Sequence, residues 1–145
     1  MGGTGWVPSF LKDLQSQDRY FFVISGSHTP PHRDGNLIFL NVHTYMPDVL
    51  ASCDVAISKL GYSTLAEVYD AGCALAFIPR PGFPESPLLA RFALAEVPAA
   101  PLDEDALANR AWLTALPPLL ALPRRPVGRA QGAASAAAAI AELLG

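Results

Sequence analysis

Short apolar runs alternate with helical patterns along most of the chain, and this alternation constrains the fold more than any other sequence feature. The runs are continuous instead of switching between polar and apolar residues, which is typical of strands covered on both faces. We predict four such strands: YFFVISG (20–26), NLIFLNV (36–42), DVAIS (54–58) and CALAFIPR (73–80). Buried strands separated by helices indicate an α/β fold, with a doubly wound parallel sheet that carries helices on both faces.

Between the first two strands, SHTPPHRDG (27–35) is predicted to be a turn-rich loop, and helical patterns fill the other intervals. Helices are predicted over residues 6–17, 46–53, 64–71, 86–96 and 106–122, and over the alanine-rich tail. Gly72 suits the left-handed position that follows a helix. Ser86 is predicted as an N-cap, with Pro87 in the first turn after it. Pro117 and Pro118 are predicted to break the helix in which they lie.

Composition and charge exclude several classes of protein. The 145 residues suit one core, and we predict a single domain over residues 1–145. A net charge of −3 argues against a nucleic-acid partner, which would favour a basic surface. Cys53 and Cys73 lack metal-ligand spacing and indicate two buried thiols in a reducing compartment. With no signal-peptide pattern and a tail too short to span a bilayer, we expect a soluble, cytoplasmic protein without a transmembrane segment.

The first residues, MGGTGW, form a glycine turn ahead of a helix, with no strand before the turn. In a doubly wound domain a central strand normally precedes such a turn. We therefore expect a fragment that lacks its first strand and an N-terminal domain; the alternative is a sheet built with one strand fewer. On the first interpretation, a longer natural reading frame should encode an apolar run just upstream of Gly2.

Three turns that lead into helices are rich in small or polar residues. They are Gly2-Gly3-Thr4-Gly5, the segment from Lys59 to Glu67, and RPGFPES (80–86). Ligands of open α/β sheets bind beyond the carboxyl ends of the strands, and helix N-termini attract anions. These turns therefore predict an anion-binding edge, and any one of them alone is equally well explained as an ordinary turn.

Glu67 has two interpretations that its spacing does not separate. Thr64-x-x-Glu67 matches a capping box, in which the two residues satisfy each other's backbone donors. Alternatively, Glu67 accepts hydrogen bonds from a ribose diol while Ser63 and Thr64 help to hold phosphate, because a carboxylate can accept two hydroxyl donors.

The remaining candidates are cations, one tyrosine and the histidines. Lys59 and Arg80 are candidate phosphate or carboxylate partners, or else solvated strand ends. Tyr62 is a candidate to pack on a sugar or base. The three histidines lack an acidic or cysteine partner at ligand spacing, so no metal site is predicted. They are His28, His32 and His43.

GGTG, followed by YMPDVLASCDVAISKLGYSTLAEVYDAGCALAFIPRPGFPESPLLARFALAE (45–96), resembles the C-terminal, nucleotide-sugar-binding half of GT-B glycosyltransferases, near the peptidoglycan N-acetylglucosaminyltransferase group. The resemblance covers residues 2–98 and implies a Rossmann-like, GT-B C-terminal fold. The predicted nucleotide- and phosphate-binding residues are Gly2, Gly3, Thr4, Gly5, Val42, Met46, Lys59, Gly61, Ser63, Thr64 and Glu67. The predicted donor-sugar residues are Arg80, Glu85 and Ser86. Where this chain has Glu85 and Ser86, the family usually has an aspartate or glutamate followed by glutamine.

This resemblance implies metal-independent transfer of a hexosyl group from a nucleoside diphosphate sugar, most simply a UDP sugar, with no cofactor. It names no catalytic residue, because the general base of the family comes from an N-terminal acceptor domain, supplied in cis or in trans. The donor half would be inactive alone. KLGYSTLAE and PRPGFPESPLL also resemble the glycosyltransferase-like region attached to sugar kinases such as L-arabinokinase. The alternative function is therefore a non-catalytic nucleotide- or sugar-binding module that accompanies another enzyme.

Overall fold

The computed structural model describes residues 11–106, 109–124 and 132–144. The chain divides into two compact units, unit 1 over residues 1–45 and unit 2 over residues 46–145. Each unit is described by itself below, and the expectation of a single domain stays a prediction.

Unit 1 is a small three-stranded sheet that follows a short helix. Its elements are α1 (Leu11–Gln15), β1 (Phe22–Ser27), β2 (His32–Asp34) and β3 (Leu37–Asn41). The strand order is β1-β3-β2, with β1 parallel and β2 antiparallel to β3. The two predicted strands are confirmed, but β2 lies in a segment predicted to be a loop. The prediction missed it because its three residues are all exposed and polar, and only pairing with β3 makes them a strand.

One side-chain amide ties the parts of unit 1 together. The Asn36 Nδ2 group donates to the carbonyl oxygens of Leu14, Gln17 and Tyr20 at 3.0, 3.0 and 3.1 Å. The Asn36 carbonyl in turn accepts a hydrogen bond from the Phe22 N–H at 2.9 Å. The Leu14 and Gln17 carbonyls also accept from the Gln17 and Tyr20 N–H groups, so the amide adds a second donor to the turns that lead from α1 into β1.

Unit 2 contains an all-parallel sheet. Its elements are α2 (Met46–Ala51), β4 (Val55–Lys59), α3 (Tyr62–Ala71), β5 (Ala74–Ile78), α4 (Ser86–Glu96), β6 (Ala99–Pro101), a 3₁₀ turn (Glu104–Ala106), α5 (Trp112–Leu120) and α6 (Gly132–Leu144). The strand order is β4-β5-β6, and both pairings are parallel. A mixed α/β fold with a parallel sheet is therefore confirmed, and it is compatible with a Rossmann-like arrangement.

The core of unit 2 is built around β5, which is buried at all five positions. Leu75 and Phe77 belong to a cluster with apolar residues of α2, α3 and α4. Since side chains alternate along a strand, the other three residues of β5 point to the opposite face of the sheet. Helix α5 packs against β5 and buries Trp112, Leu116 and Leu119. The sheet of unit 2 thus has helices on both faces, as the continuous apolar pattern predicts.

Two predictions of helix ends have opposite outcomes. Gly72 is in the left-handed region, at φ 69° and ψ 15°, and its N–H donates to the Val68 carbonyl, so the predicted helix end is confirmed. The predicted break at Pro117 and Pro118 is wrong, because both residues lie inside α5. Proline removes backbone donors from a helix, yet the apolar face that α5 buries holds the backbone helical through both of them.

No helix within the described part of the chain is long and apolar enough to cross a membrane.

The two cysteines are free thiols with different surroundings. Cys73 is fully buried, as predicted, whereas Cys53 is half-buried. Burial, helped by the nearby Cys53, raises the pKa of the Cys73 thiol from 9.0 to about 11. Removal from water disfavours the thiolate, so Cys73 stays protonated in the folded protein at pH values where it ionises in the unfolded chain.

This difference predicts a loss of stability in alkaline solution. Between pH 9 and pH 11 the unfolded chain releases the Cys73 proton and the folded protein keeps it. The contribution of the protonated Cys73 thiol to the free energy of unfolding should therefore be fully present below pH 9. The free energy of unfolding should fall by about 2–3 kcal/mol as the pH rises toward 11. Urea unfolding of the wild type and of Cys73→Ala across this range measures the effect. The variant should lose stability less steeply, and parallel pH profiles for the two proteins would contradict the prediction.

Candidate functional site

The carboxyl ends of all three strands of unit 2 lie at one edge of their sheet. Lys59, the last residue of β4, pairs with Ile78, the last residue of β5, and Phe77 pairs with Pro101 at the end of β6. We call this edge the carboxyl edge. Two of the three predicted turns, those that follow β4 and β5, therefore meet there, together with the segment that follows β6. The third turn, Gly2 to Gly5, lies outside the described residues.

Helix α3 begins at the carboxyl edge directly after β4. Gly61 is its N-cap residue, with extended backbone at φ −155° and ψ 158° and no side-chain cap. The first hydrogen bond of the helix runs from the Leu65 N–H to the Gly61 carbonyl at 3.0 Å. The N–H groups of Tyr62, Ser63 and Thr64 consequently have no acceptor within the helix. The side chains of Tyr62 and Ser63 are exposed and that of Thr64 is half-buried.

The capping-box interpretation of Glu67 is wrong. A capping box needs threonine at the N-cap and glutamate three residues later, but α3 begins at Tyr62, so Thr64 is already its third residue. Glu67 lies in the second turn and is half-buried. Among the described residues its carboxylate has neither a hydrogen-bond nor an ion-pair partner. Its predicted contact with a ribose stays a prediction, and the competing structural explanation for its spacing is removed.

The loop from β5 to α4 is closed by its own hydrogen bonds. The Arg80 N–H donates to Ser86 Oγ at 3.0 Å, the Phe83 N–H donates to the Arg80 carbonyl at 2.9 Å, and the Ser86 N–H donates to the Phe83 carbonyl at 3.0 Å. Ser86 is 4% exposed and is the first residue of α4, with Glu85 at the N-cap position. The prediction that Ser86 caps α4 is therefore wrong. Its hydroxyl holds the loop instead, and its contact with a sugar stays a prediction.

Arg80 is held in place by an aromatic ring. Its guanidinium carbon lies 3.3 Å from the centroid of the Phe83 ring, which is a close cation–π contact. The arginine itself is half-buried, and Phe83 is 42% exposed.

A pocket of about 220 Å³ opens beside this pair at the carboxyl edge. Lys59 and Arg80 line it, together with Ile78, Pro79, Pro81, Gly82, Phe83 and Glu104. Sequence patterns identified the two cations as site candidates. They did not single out Phe83 within the turn segment, and they did not identify Glu104. The sequence carries no signal for Glu104, because the course of the chain after β6 brings this residue to the pocket.

The other predicted residues are placed as follows. Glu85 is half-buried beside the loop, and it makes no side-chain cap. Val42 follows β3 in unit 1, where its side chain is 48% exposed and its N–H donates to the Ser27 carbonyl. Met46, in unit 2, is the half-buried first residue of α2. The predicted contact of Val42 and Met46 with a base stays a prediction.

His32 and His43 make local contacts in unit 1. His32 stacks on Phe39 with ring centroids 4.6 Å apart, and its Nδ1 lies 3.0 Å from the Pro30 carbonyl. The His43 backbone N–H donates to Asn41 Oδ1 at 3.0 Å. Within residues 11–106, 109–124 and 132–144, no group of three or more metal-ligating side chains is present.

Part of the chain is similar to a curated plant protein. No family model matches the chain, and no solved structure matches it. Among curated proteins, L-arabinokinase of Arabidopsis thaliana is similar, with 28% identity over 86 residues. The matched segment is 59% of this chain and 8% of the plant protein, so the chain spans a small part of that relative. The chain is thus a distant, partial relative of a sugar kinase, and the comparisons do not specifically support a glycosyltransferase.

Proposed function

We propose that the carboxyl edge of unit 2 binds a nucleoside diphosphate sugar. The observation that carries this proposal is the meeting of three strand ends, which brings the start of α3, Lys59 and Arg80 to the same edge of one parallel sheet. Open α/β sheets bind ligands at this edge because several loops and helix N-termini converge there.

In this proposal the phosphates lie at the start of α3. The uncapped N–H groups of Tyr62, Ser63 and Thr64 supply donors, and the helix dipole favours negative charge at this end. Gly61 has no side chain to keep a ligand away from the backbone.

Glu67 binds the ribose. Its carboxylate accepts from both hydroxyls of the diol, and it has no partner in the described part of the chain to compete with them. Met46, at the start of α2 in the same unit, is the proposed contact for the base.

The proposed reaction is metal-independent hexosyl transfer. The departing diphosphate would be stabilised by the start of α3, since the positive end of a helix dipole positioned where negative charge develops lowers the barrier. The acceptor and the general base come from an additional domain, in the same chain or in a separate one. Without that domain the unit binds its donor and does not transfer the sugar.

A second candidate is a non-catalytic nucleotide- or sugar-binding module that accompanies another enzyme. The similarity to part of L-arabinokinase, a sugar kinase by name, favours this candidate. Both candidates use the same carboxyl edge, and they differ in whether adding the acceptor domain and an acceptor produces transfer.

Glu67→Ala tests the proposed site. Calorimetry with UDP, GDP, CDP and dTDP should show binding of one nucleoside diphosphate, most simply UDP. The variant should bind it about 10- to 100-fold more weakly, because hydrogen bonds to a charged group contribute about 1.5–3 kcal/mol. Its melting temperature should be unchanged, since Glu67 caps nothing in the structure.

Glu142→Ala is the matched control, because Glu142 is an exposed helical glutamate on α6. It should bind the diphosphate as the wild type does. The proposal fails if none of the four diphosphates binds, or if Glu67→Ala binds as tightly as the control.

A further inference from the structure

Two cations, Lys59 and Arg80, line the pocket at the carboxyl edge. Lys59 ends β4, and Arg80 follows the end of β5, the neighbouring strand. Neither side chain has an ion-pair partner among the described residues, although Glu104 lines the same pocket. Positive groups of this kind, close together in a concave site, favour an anionic ligand.

The position of Arg80 suits the binding of a planar anion. The cation–π contact with Phe83, 3.3 Å from the guanidinium carbon to the ring centroid, restrains the Arg80 side chain, and the hydrogen-bonded loop from Arg80 to Ser86 restrains its backbone. A guanidinium group has five N–H donors, and the aromatic ring occupies none of them as a hydrogen-bond acceptor would; two parallel N–H groups match the two oxygens of a carboxylate.

The rest of the pocket suits a ring that bears hydroxyl groups. Glu104 is an acceptor for hydroxyl donors, and the exposed part of Phe83 offers an apolar surface for the C–H face of a sugar. The pocket therefore combines a planar anion receptor, a hydroxyl acceptor and an aromatic surface within about 220 Å³.

We infer that this pocket takes an acidic sugar, a monosaccharide ring that carries a carboxylate, as the sugar part of the ligand. The inference rests on the proposed function, because that function assigns the phosphates to the start of α3 and leaves the pocket for the sugar. Charge also favours a carboxylate, since two cations and Glu104 leave one net positive charge, which matches a monoanion better than a phosphate dianion.

The test compares UDP, UDP-glucose and UDP-glucuronate by calorimetry on the full chain. Wild type should bind UDP-glucuronate at least tenfold more tightly than UDP-glucose, because the bidentate contact is charge-assisted. In Arg80→Gln this preference should fall below about twofold, while the affinity for UDP itself should not change. Arg91→Gln, which changes an exposed arginine of α4 outside the pocket, should keep the full preference.

Three results would overturn the inference. Equal affinity of the wild type for the two UDP sugars would show that the carboxylate is not recognised. Equal weakening of UDP binding by Arg80→Gln would assign Arg80 to the diphosphate. Binding of free glucose 6-phosphate that is tighter than that of free glucuronate, and that depends on Arg80, would assign the pocket to a phosphate.

Free sugars separate this failure from failure of the proposed function. If no uridine ligand binds, NMR titration with D-glucuronate and D-glucose decides the matter. Chemical-shift changes at Lys59, Arg80 and Phe83 with glucuronate but not with glucose would support the acidic-sugar pocket and contradict the proposed nucleotide binding. No shifts with either sugar would overturn the pocket as well.

Discussion

Asn36→Asp should destabilise unit 1 by about 3 kcal/mol, because it replaces a donor that faces three carbonyl oxygens with a negatively charged acceptor. The wild-type amide shares two hydrogens among these three acceptors. The substituted carboxylate donates none, and its charge is repelled by the carbonyl oxygens of Leu14, Gln17 and Tyr20. This loss is a large fraction of the stability of a small domain.

Hydrogen exchange measured peptide by peptide tests this expectation. Amides within residues 11–45 should exchange much faster in the variant at neutral pH. Protonation of the new carboxyl in acid restores one donor, so the difference from wild type should shrink as the pH falls.

Asn41→Asp is the matched control, since it makes the same chemical change in the same unit. Asn41 uses its side-chain oxygen, which accepts from the His43 N–H at 3.0 Å and from Thr44 Oγ1 at 3.1 Å. A carboxylate accepts at least as well, so this variant should remain within about 0.5 kcal/mol of wild type. Similar losses in the two variants would show that the donor role of Asn36 is not what matters.

Phe77→Ala should cost about 3–5 kcal/mol of the free energy of unfolding of unit 2. Phe77 is 1% exposed and lies in the middle strand of the sheet, where it packs with apolar residues of α2, α3 and α4. Truncation removes apolar burial and leaves a cavity that the rigid strand pairing on both sides of β5 prevents from closing.

Urea unfolding followed by far-ultraviolet circular dichroism measures this loss, and Phe92→Ala is its control. Phe92 is 42% exposed on α4, where it contacts Tyr69 at a centroid distance of 5.6 Å. Its truncation should cost about 1 kcal/mol. If Phe77→Ala fails to fold, Phe77→Leu should fold with a smaller loss. Equal losses for Phe77→Ala and Phe92→Ala would contradict the assignment of β5 to the centre of the core.

Much of the fold of unit 2 follows from local patterns. Continuous apolar runs mark β4 and β5 because strands buried on both faces admit few polar side chains. Gly72 marks the end of α3 because few other residues adopt its left-handed backbone. Helix α4 begins and ends where its pattern predicts, at Ser86 and Glu96.

Elements that depend on long-range pairing carry no such pattern. Strand β2 is entirely exposed and polar, and β6 is three residues long with proline at its end, so each is a strand only because β3 or β5 provides a partner. Helix α5 continues through Pro117 and Pro118 because the sheet buries its apolar face. Propensity describes one residue in its local segment, and burial against a distant segment overrides it.

The candidate site divides in the same way. Lys59, Arg80 and the start of α3 were predicted because the turn after a parallel strand is a recognisable local signal. Three features of the site were not predicted: the Ser86 Oγ that accepts a hydrogen bond within its own loop, the contact of Arg80 with Phe83, and the position of Glu104. Each depends on where the backbone places a distant or differently oriented group.

By itself, the sequence determined that unit 2 forms parallel strands with helices between them and that small and charged residues follow those strands. Only the tertiary structure decided which of those residues share a pocket, and it also decided that Glu67 caps nothing and that Ser86 closes its own loop. The physical reason is the distance along the chain over which each interaction acts. Apolar periodicity and turn chemistry act over a few neighbouring residues, whereas the meeting of Lys59, Arg80 and Glu104 is set by strand order and register, which arise from contacts between segments far apart in the chain.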